Sequence, residues 1–95
     1  MLKIVVKEPN KKPIIKEVED TLETWQKLVE GYIEVVPFSD CLLIINEEGK
    51  FQGLEPNFNY GRDVIVGNAV FVNSKGADFD SLSNRQIEEL IKLFS

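Results

Sequence analysis

The sequence predicts an α+β domain, a largely antiparallel β-sheet covered by two helices, in the order β-β-α-β-β-β-β-α. Short runs of β-branched residues recur between turn-forming Pro, Asn and Gly, which is typical of antiparallel strands. Two other segments repeat apolar residues every three to four positions, which indicates amphipathic helices. With 95 residues and 43% hydrophobic side chains, we expect a single domain over residues 1–95.

The first three elements are a hairpin and a helix. Residues 2–7 and 13–19 read as two strands joined by a polar turn. The helix is predicted to begin at Asp20, which has Glu23 three positions on, and to end at Gly31. Its apolar stripe, which we expect to lie in the core, contains Leu22, Trp25, Leu28 and Val29.

Four strands are predicted between the two helices. Residues 32–36 return as a strand, and residues 41–45 are so uniformly apolar that we expect a central strand covered on both faces. A hairpin loop then leads to a strand over residues 50–54. The fourth strand covers residues 64–72, with Gly67 as a bulge or break.

The second helix is predicted to begin at Ser83, which forms a capping box with Gln86 and a hydrophobic staple between Leu82 and Ile87. Its apolar stripe contains Ile87, Leu90, Ile91 and Phe94. We expect both helices on one face of the sheet, so that the other face or an edge is free to form a homo-oligomer.

The composition excludes several kinds of catalytic and metal site. Histidine is absent, which excludes Ser-His-Asp and Cys-His catalysis and any histidine-ligated metal. The single cysteine, Cys41, allows no internal disulfide or cysteine-rich metal cluster, and we expect an inert buried thiol. No acidic run has the spacing of a calcium loop. We therefore predict no enzyme activity, no catalytic residue, no cofactor and no metal site.

The charge and hydropathy of the chain indicate which kinds of partner and which cellular location to expect. The net charge is −5, although the first sixteen residues carry five lysines and one glutamate. A protein with this balance is not expected to bind nucleic acid directly. The longest apolar run, residues 41–45, is far shorter than the roughly twenty residues that cross a bilayer. A lone cysteine and the lack of a secretory leader favour a cytoplasmic protein without membrane contact.

The predicted loop at 55–63 is the main candidate for a binding site, because aromatic, amide and guanidinium groups are concentrated in nine residues. The candidate residues in it are Asn57, Phe58, Asn59, Tyr60 and Arg62. One aromatic ring would stack on a base, the asparagines would bond the edge of the base and the arginine would hold a phosphate. The alternative is an ordinary hairpin connection in which an aromatic ring packs into the core.

Two further candidates, Tyr32 and Glu34, lie in the strand that follows the first helix. Alternation places both on the same face as Val36. Because Glu34 stands among apolar neighbours, it could accept a hydrogen bond from a ribose hydroxyl or an amide. A cross-strand pair with Lys or Arg is the alternative explanation.

Five motifs follow one another along the chain. They are Gly31-Tyr-Ile-Glu-Val-Val-Pro37, Asn46-Glu-Glu-Gly-Lys50, Gly53-Leu-x-Pro-Asn57, Asp63-Val-Ile-Val-Gly67 and Ser81-Leu-Ser-x-x-Gln-Ile-Glu-Glu-Leu90. Their order and spacing resemble the domain of unknown function 3846 family, small proteins common in phages and bacterial mobile elements, over nearly the whole chain. In that family we expect a basic residue after the Pro-Asn pair, where Phe58 stands here. The resemblance therefore implies that Arg62 has taken over any phosphate contact or that the contact is absent, and it carries no catalytic residues.

These observations together predict a non-enzymatic accessory protein of a phage or mobile element, located in the host cytoplasm. We expect it to counter host defence by binding and sequestering a small nucleotide-derived signalling molecule as a homo-oligomer. The expected ligand-binding residues are Tyr32, Glu34, Asn57, Phe58, Asn59, Tyr60 and Arg62. The alternative is a protein–protein inhibitor that binds a host defence or nucleic-acid-processing factor through an acidic surface.

Overall fold

The computed structural model describes residues 1–95 and contains eight strands and two helices. The strands are β1 (Leu2–Lys7), β2 (Ile14–Val18), β3 (Ile33–Phe38), β4 (Cys41–Asn46), β5 (Pro56–Tyr60), β6 (Asp63–Val66), β7 (Ala69–Lys75) and β8 (Asp78–Asp80). The helices are α1 (Leu22–Val29) and α2 (Asn84–Leu93). The predicted α+β class, with a mostly antiparallel sheet and two helices, is confirmed.

The main sheet has the strand order β2-β1-β7-β4-β3, and every neighbouring pair in it is antiparallel. β8 extends it by pairing with the end of β7, while β5 and β6 form a separate two-stranded sheet. β4 is an interior strand, as its uniform apolar sequence predicts, and β7 occupies the centre. The edge strands are β2 and β3.

The two helices lie on opposite faces of the sheet, so the prediction that they share one face is wrong. One face forms the α1 cluster, whose buried members are Ile4, Val6, Trp25, Val29, Ile44, Val70 and Val72. The other face forms the α2 cluster, whose buried members are Val5, Cys41, Leu43, Ile65, Ala69, Phe71, Leu82, Ile87 and Leu90. Because β1, β4 and β7 are apolar on both sides, each face needs its own cover. The β5–β6 hairpin shares the second face with α2.

Six strands lie between the helices where the sequence predicts four. The predicted strand at 50–54 is wrong, because residues 47–53 form consecutive turns closed by backbone hydrogen bonds such as Gln52 N to Glu48 O at 3.0 Å. Gly67 does break the strand predicted over 64–72, and it has a φ of +77°. The residues before this break pair with β5, and the residues after it join the main sheet.

The helix ends show two small corrections and one confirmation. Thr21, not Asp20, is the N-cap of α1, and its side chain accepts from the Thr24 N–H. Asp20 instead accepts from Trp25 Nε1 at 3.1 Å, which satisfies the buried indole. α1 ends one residue before the predicted glycine, at Glu30 in the left-handed conformation. The predicted capping box of α2 is confirmed. Neither helix has the length and hydrophobicity that a membrane span requires.

Candidate functional site

The segment at 55–63, predicted as a loop, is a β-hairpin that packs on the main sheet. Strands β5 and β6 pair antiparallel, and Gly61 and Arg62 form the turn between them. Gly61 has a φ of +61°, a conformation that glycine adopts without strain. This arrangement gives the residues of the segment two different environments, one facing the core and one facing solvent.

Asn57 faces inward and has a structural role. The pairing register shifts between Pro56 and Phe58, so Asn57 sits at a bulge. Its Nδ2 donates to the backbone oxygens of Lys7 at 2.7 Å and Gly67 at 2.8 Å. Its Oδ1 accepts from Lys7 Nζ at 3.0 Å. Burial lowers the pKa of Lys7, and two amide oxygens, the Glu8 carbonyl oxygen and Asn57 Oδ1, accept hydrogen bonds from its ammonium group.

Phe58 also faces inward, where it belongs to a group of aromatic rings over the α2 cluster. Its ring centroid lies 4.8 Å from that of Phe94, 6.0 Å from that of Phe71 and 6.1 Å from that of Phe38. These distances are typical of aromatic pairs in protein cores. Phe58 therefore anchors the hairpin to the sheet and to the end of α2.

Tyr60 connects the hairpin to edge strand β3. Its ring stacks on Phe38 with centroids 6.1 Å apart, and its hydroxyl donates to the backbone oxygen of Pro37. Half-buried Tyr60 also lines a groove between the hairpin and β3. Tyr60 is thus both part of the packing and part of a concave surface.

This groove has a volume of about 250 Å³ and is lined by both apolar and polar residues. It lies between β3, the turns after β4, and the β5–β6 hairpin. Its lining residues are Glu34, Val36, Ile45, Asn46, Glu47, Gly49, Lys50, Phe51, Tyr60, Asp63, Val64, Ile65 and Val66. The floor is apolar and the rim is charged, which is the usual composition of a small-ligand site.

The groove brings together two of the seven predicted binding residues, Glu34 and Tyr60. Arg62 lies at the hairpin tip, between the lining residues Tyr60 and Asp63 in the chain, and it takes part in none of the four ion pairs. Asn59 is exposed on the outer side of the hairpin. Tyr32 is 66% exposed just before β3 and does not line the groove.

Glu34 has no cross-strand charge partner, so that explanation of its position is wrong. It lies opposite Ile45 on β4. β3 pairs only with β4, and β4 carries no charged residue that could face it. Its carboxylate is therefore exposed at the rim of the groove and can accept hydrogen bonds.

The residues after β4 supply the part of the groove that the sequence did not predict. Lys50 forms an ion pair with Asp63, which ties these turns to the hairpin. The hydrogen bond from Lys50 holds the pKa of the Asp63 carboxyl below its usual value. Glu47 lines the groove and belongs to no ion pair. No group of three or more His, Cys, Asp or Glu side chains is placed to hold a metal ion.

Phe51 is the most exposed large apolar residue of this region, with 95% of its surface accessible at the mouth of the groove. The prediction of a strand over 50–54 gave no indication that Phe51 would be exposed. The signal that could have found it is the spacing Gly49-Lys-Phe-Gln-Gly53, in which an aromatic residue stands between two glycines without the alternation of a strand.

Comparisons with known proteins identify a family but no closer relative. The model of the family described as a domain of unknown function, DUF3846, matches residues 2–95. Neither the curated proteins nor the solved structures gave a match. Since the family model covers nearly the whole chain and the motifs follow in the expected order, the protein belongs to the domain of unknown function 3846 family.

Proposed function

We propose that this protein is a non-enzymatic binding protein that sequesters a small nucleotide-derived signalling molecule. The observation that supports this proposal is the groove between β3 and the β5–β6 hairpin. There, a half-buried tyrosine, an exposed phenylalanine and two unpaired carboxylates surround an apolar floor, and an unpaired arginine stands at the adjoining hairpin tip.

The volume of the groove favours a nucleoside-sized group. About 250 Å³ is below the ~300–1,000 Å³ of pockets that enclose a whole drug-sized ligand. A base would lie between Tyr60 and Phe51, where stacking on an aromatic ring can contribute about 1–3 kcal/mol. The remainder of the molecule would extend over the rim.

The charges around the groove specify the orientation of such a ligand. Glu34 and Glu47 are acceptors only, so they suit ribose hydroxyls or the amino group of a base and repel a phosphate. Arg62 has a free guanidinium, which is the side chain best shaped for a phosphate. We therefore place the ribose near the two carboxylates and the phosphate outside the groove, toward Arg62.

The biological role is inferred from the family. The resemblance of this chain to small proteins of phages and mobile elements supports the role of an accessory protein in the host cytoplasm. Removing a signalling molecule by stoichiometric binding requires affinity and no catalysis. This fits a site whose side chains include aromatic rings, carboxylates and an arginine but no histidine. In this proposal the protein blunts a host defence that depends on the sequestered molecule.

The first test is a thermal-shift screen of the protein against linear and cyclic nucleotides, including ADP-ribose derivatives. At about 100 times its Kd, a ligand adds about 2.7 kcal/mol to the free energy of unfolding and raises Tm by several degrees. The shift should disappear in Arg62→Ala and in Glu34→Gln, while Tm without ligand stays the same. Lys27→Ala, an exposed cation on α1, is the matched control and should keep the shift. A shift that survives both Arg62→Ala and Glu34→Gln would contradict this site.

A protein target is the second candidate function, and Phe51 favours it. A phenylalanine that is 95% exposed beside Glu47 and Glu48 resembles an apolar anchor within an acidic contact surface. Salt distinguishes the two candidates. Capture of a basic protein through carboxylates should weaken steeply between low and physiological ionic strength, whereas a nucleotide held in the groove should be less sensitive.

A further inference from the structure

The two edges of the main sheet are not equivalent. Edge strand β3 contains Pro37, which has no backbone N–H to offer to a neighbouring strand. Edge strand β2 has the sequence Ile-Ile-Lys-Glu-Val, without proline or glycine, and pairs only with β1. The outer backbone groups of β2 are therefore available to another strand.

Beside this open edge lies an apolar trough between β2 and α2. It has a volume of about 610 Å³ and is open to solvent. Ile15, Ile87 and Ile91 supply its apolar surface, and Ile15 is 52% exposed. Glu88 and Lys92 stand on its α2 side, one helical turn apart, and neither belongs to an ion pair in the protomer. An exposed isoleucine at an edge whose outer backbone groups have no partner strand favours association.

We propose that β2 pairs antiparallel with β2 of a second copy of this chain, across a two-fold axis through Ile15 and perpendicular to the sheet. This axis keeps the same face of both sheets on the same side. Residues opposite each other must then come from one face of β2, as they do whenever a residue faces its own copy. Ile15 is the residue of β2 that lines the trough, so the register with Ile15 opposite Ile15 of the partner places the two troughs side by side. A shift of two residues would instead place Glu17 opposite Glu17, an unfavourable pair of like charges.

The same axis makes α2 self-complementary. It reverses the direction of the helix in the second copy, so Glu88 of each protomer faces Lys92 of the other. α2 packs over β1, where Ile87 and Leu90 share a cluster with Val5. The two β1 strands would be three strand spacings apart, about 14 Å. Two copies of Ile15 and Ile91 fill the floor of that gap, and the long Glu and Lys side chains bridge its top. The second copy therefore fits both the apolar floor and the charges of the trough.

The oligomeric state in solution tests this inference, and it is independent of any ligand in the groove. The wild-type protein is expected to be a dimer by sedimentation equilibrium at micromolar concentrations. Ile15→Lys places like charges on the axis and should raise the dimer dissociation constant by about tenfold or more, since opposed like charges destabilise adjacent strands. Val35→Lys is the matched control, because Val35 is 41% exposed on the other edge strand, β3. It should leave the dimer intact.

A charge exchange provides the sharper test. Glu88→Lys alone and Lys92→Glu alone should each weaken the homodimer, because each places like charges across the axis. Mixing the two variants should restore a dimer, since every pair between them is then opposite in charge. A monomeric wild type, or a dimer that tolerates Ile15→Lys, would overturn the proposal. So would a mixture that associates no better than the single variants.

Discussion

The side chain of Asn57 forms hydrogen bonds with both the backbone and the side chain of Lys7. The asparagine Nδ2 donates to the Lys7 carbonyl oxygen at 2.7 Å, and the asparagine Oδ1 accepts from Lys7 Nζ at 3.0 Å. Lys7 is only 7% exposed. A residue predicted to bind a ligand thus fastens the β5–β6 hairpin to β1 and accepts a hydrogen bond from the Lys7 ammonium group.

Asn57→Ala is therefore expected to destabilise the fold rather than to act on ligand binding alone. It removes three hydrogen bonds and leaves Lys7 under-satisfied, which should cost about 2–4 kcal/mol of unfolding free energy. Urea denaturation measures this change. Asn59→Ala, two residues along the same strand and exposed, should alter stability by less than about 0.5 kcal/mol. Equal effects of the two variants would show that the buried contacts of Asn57 do not stabilise the hairpin.

The two phenylalanines Phe51 and Phe58 should behave in opposite ways. Phe58→Ala removes a ring from the aromatic group and should cost about 2–4 kcal/mol, near the lower range for buried phenylalanine because Phe58 is half-buried. Phe51→Ala removes a ring that contacts almost nothing and should leave Tm unchanged. If the proposed groove binds a nucleotide, Phe51→Ala should instead weaken binding. Thermal denaturation and a ligand titration separate these effects, and loss of stability in Phe51→Ala would be inconsistent with its exposure.

Gly31→Ala should destabilise the protein through Asn46. A Cβ at residue 31 would stand 2.6 Å from Asn46 Nδ2. That side chain cannot simply rotate away, because Nδ2 donates to the Val29 carbonyl oxygen at 3.1 Å and Oδ1 accepts from Glu48 N at 2.8 Å. We expect a loss of about 1–3 kcal/mol, as for other overpacked sites. Denaturant unfolding measures it, and a neutral substitution would mean that Asn46 moves without cost.

Cys41 should react slowly with thiol reagents in the folded protein. Burial, reinforced by the nearby charge of Asp40, raises the pKa of the Cys41 thiol to about 11. Because the thiolate is the reactive form, the labelling rate should increase about tenfold for each unit by which the pH is raised, as long as the pH stays below this pKa. Alkylation followed by mass spectrometry measures the rate, and the same protein unfolded in urea is the control. Rapid labelling of the folded protein near neutral pH would show that Cys41 is accessible and activated.

Local patterns in the sequence were sufficient to predict the class of the fold and the second helix. The stripe from Ile87 to Phe94 and the Ser83–Gln86 capping box act within one element, so sequence spacing determines them. Apolar runs such as residues 41–45 also identified an interior strand. The face on which each helix packs depends on contacts far apart in the chain, and the local pattern does not contain that information.

The candidate site was predicted only in part for the same reason. The groove forms where β3, the turns after β4 and the β5–β6 hairpin meet, and only Glu34 and Tyr60 among the predicted residues reach it. Asn57 and Phe58 have side chains suited to recognition, but the bulge and the aromatic group direct both of them inward. Residue type indicates which chemical groups the hairpin contains, whereas the direction of each side chain depends on its tertiary contacts.

The central position of β7 determines when this protein can fold during synthesis. β1–β2 and β3–β4 are each local hairpins, and β7 is the strand that joins them into one sheet. Isolated two-stranded hairpins are marginally stable in water, so neither is expected to persist alone. A nascent chain that has not yet released residues 69–75 from the ribosome therefore leaves the inner edges of β1 and β4 unpaired. Pairing across this sequence distance is slow, which makes the arrival of β7 the step that commits the chain to its fold.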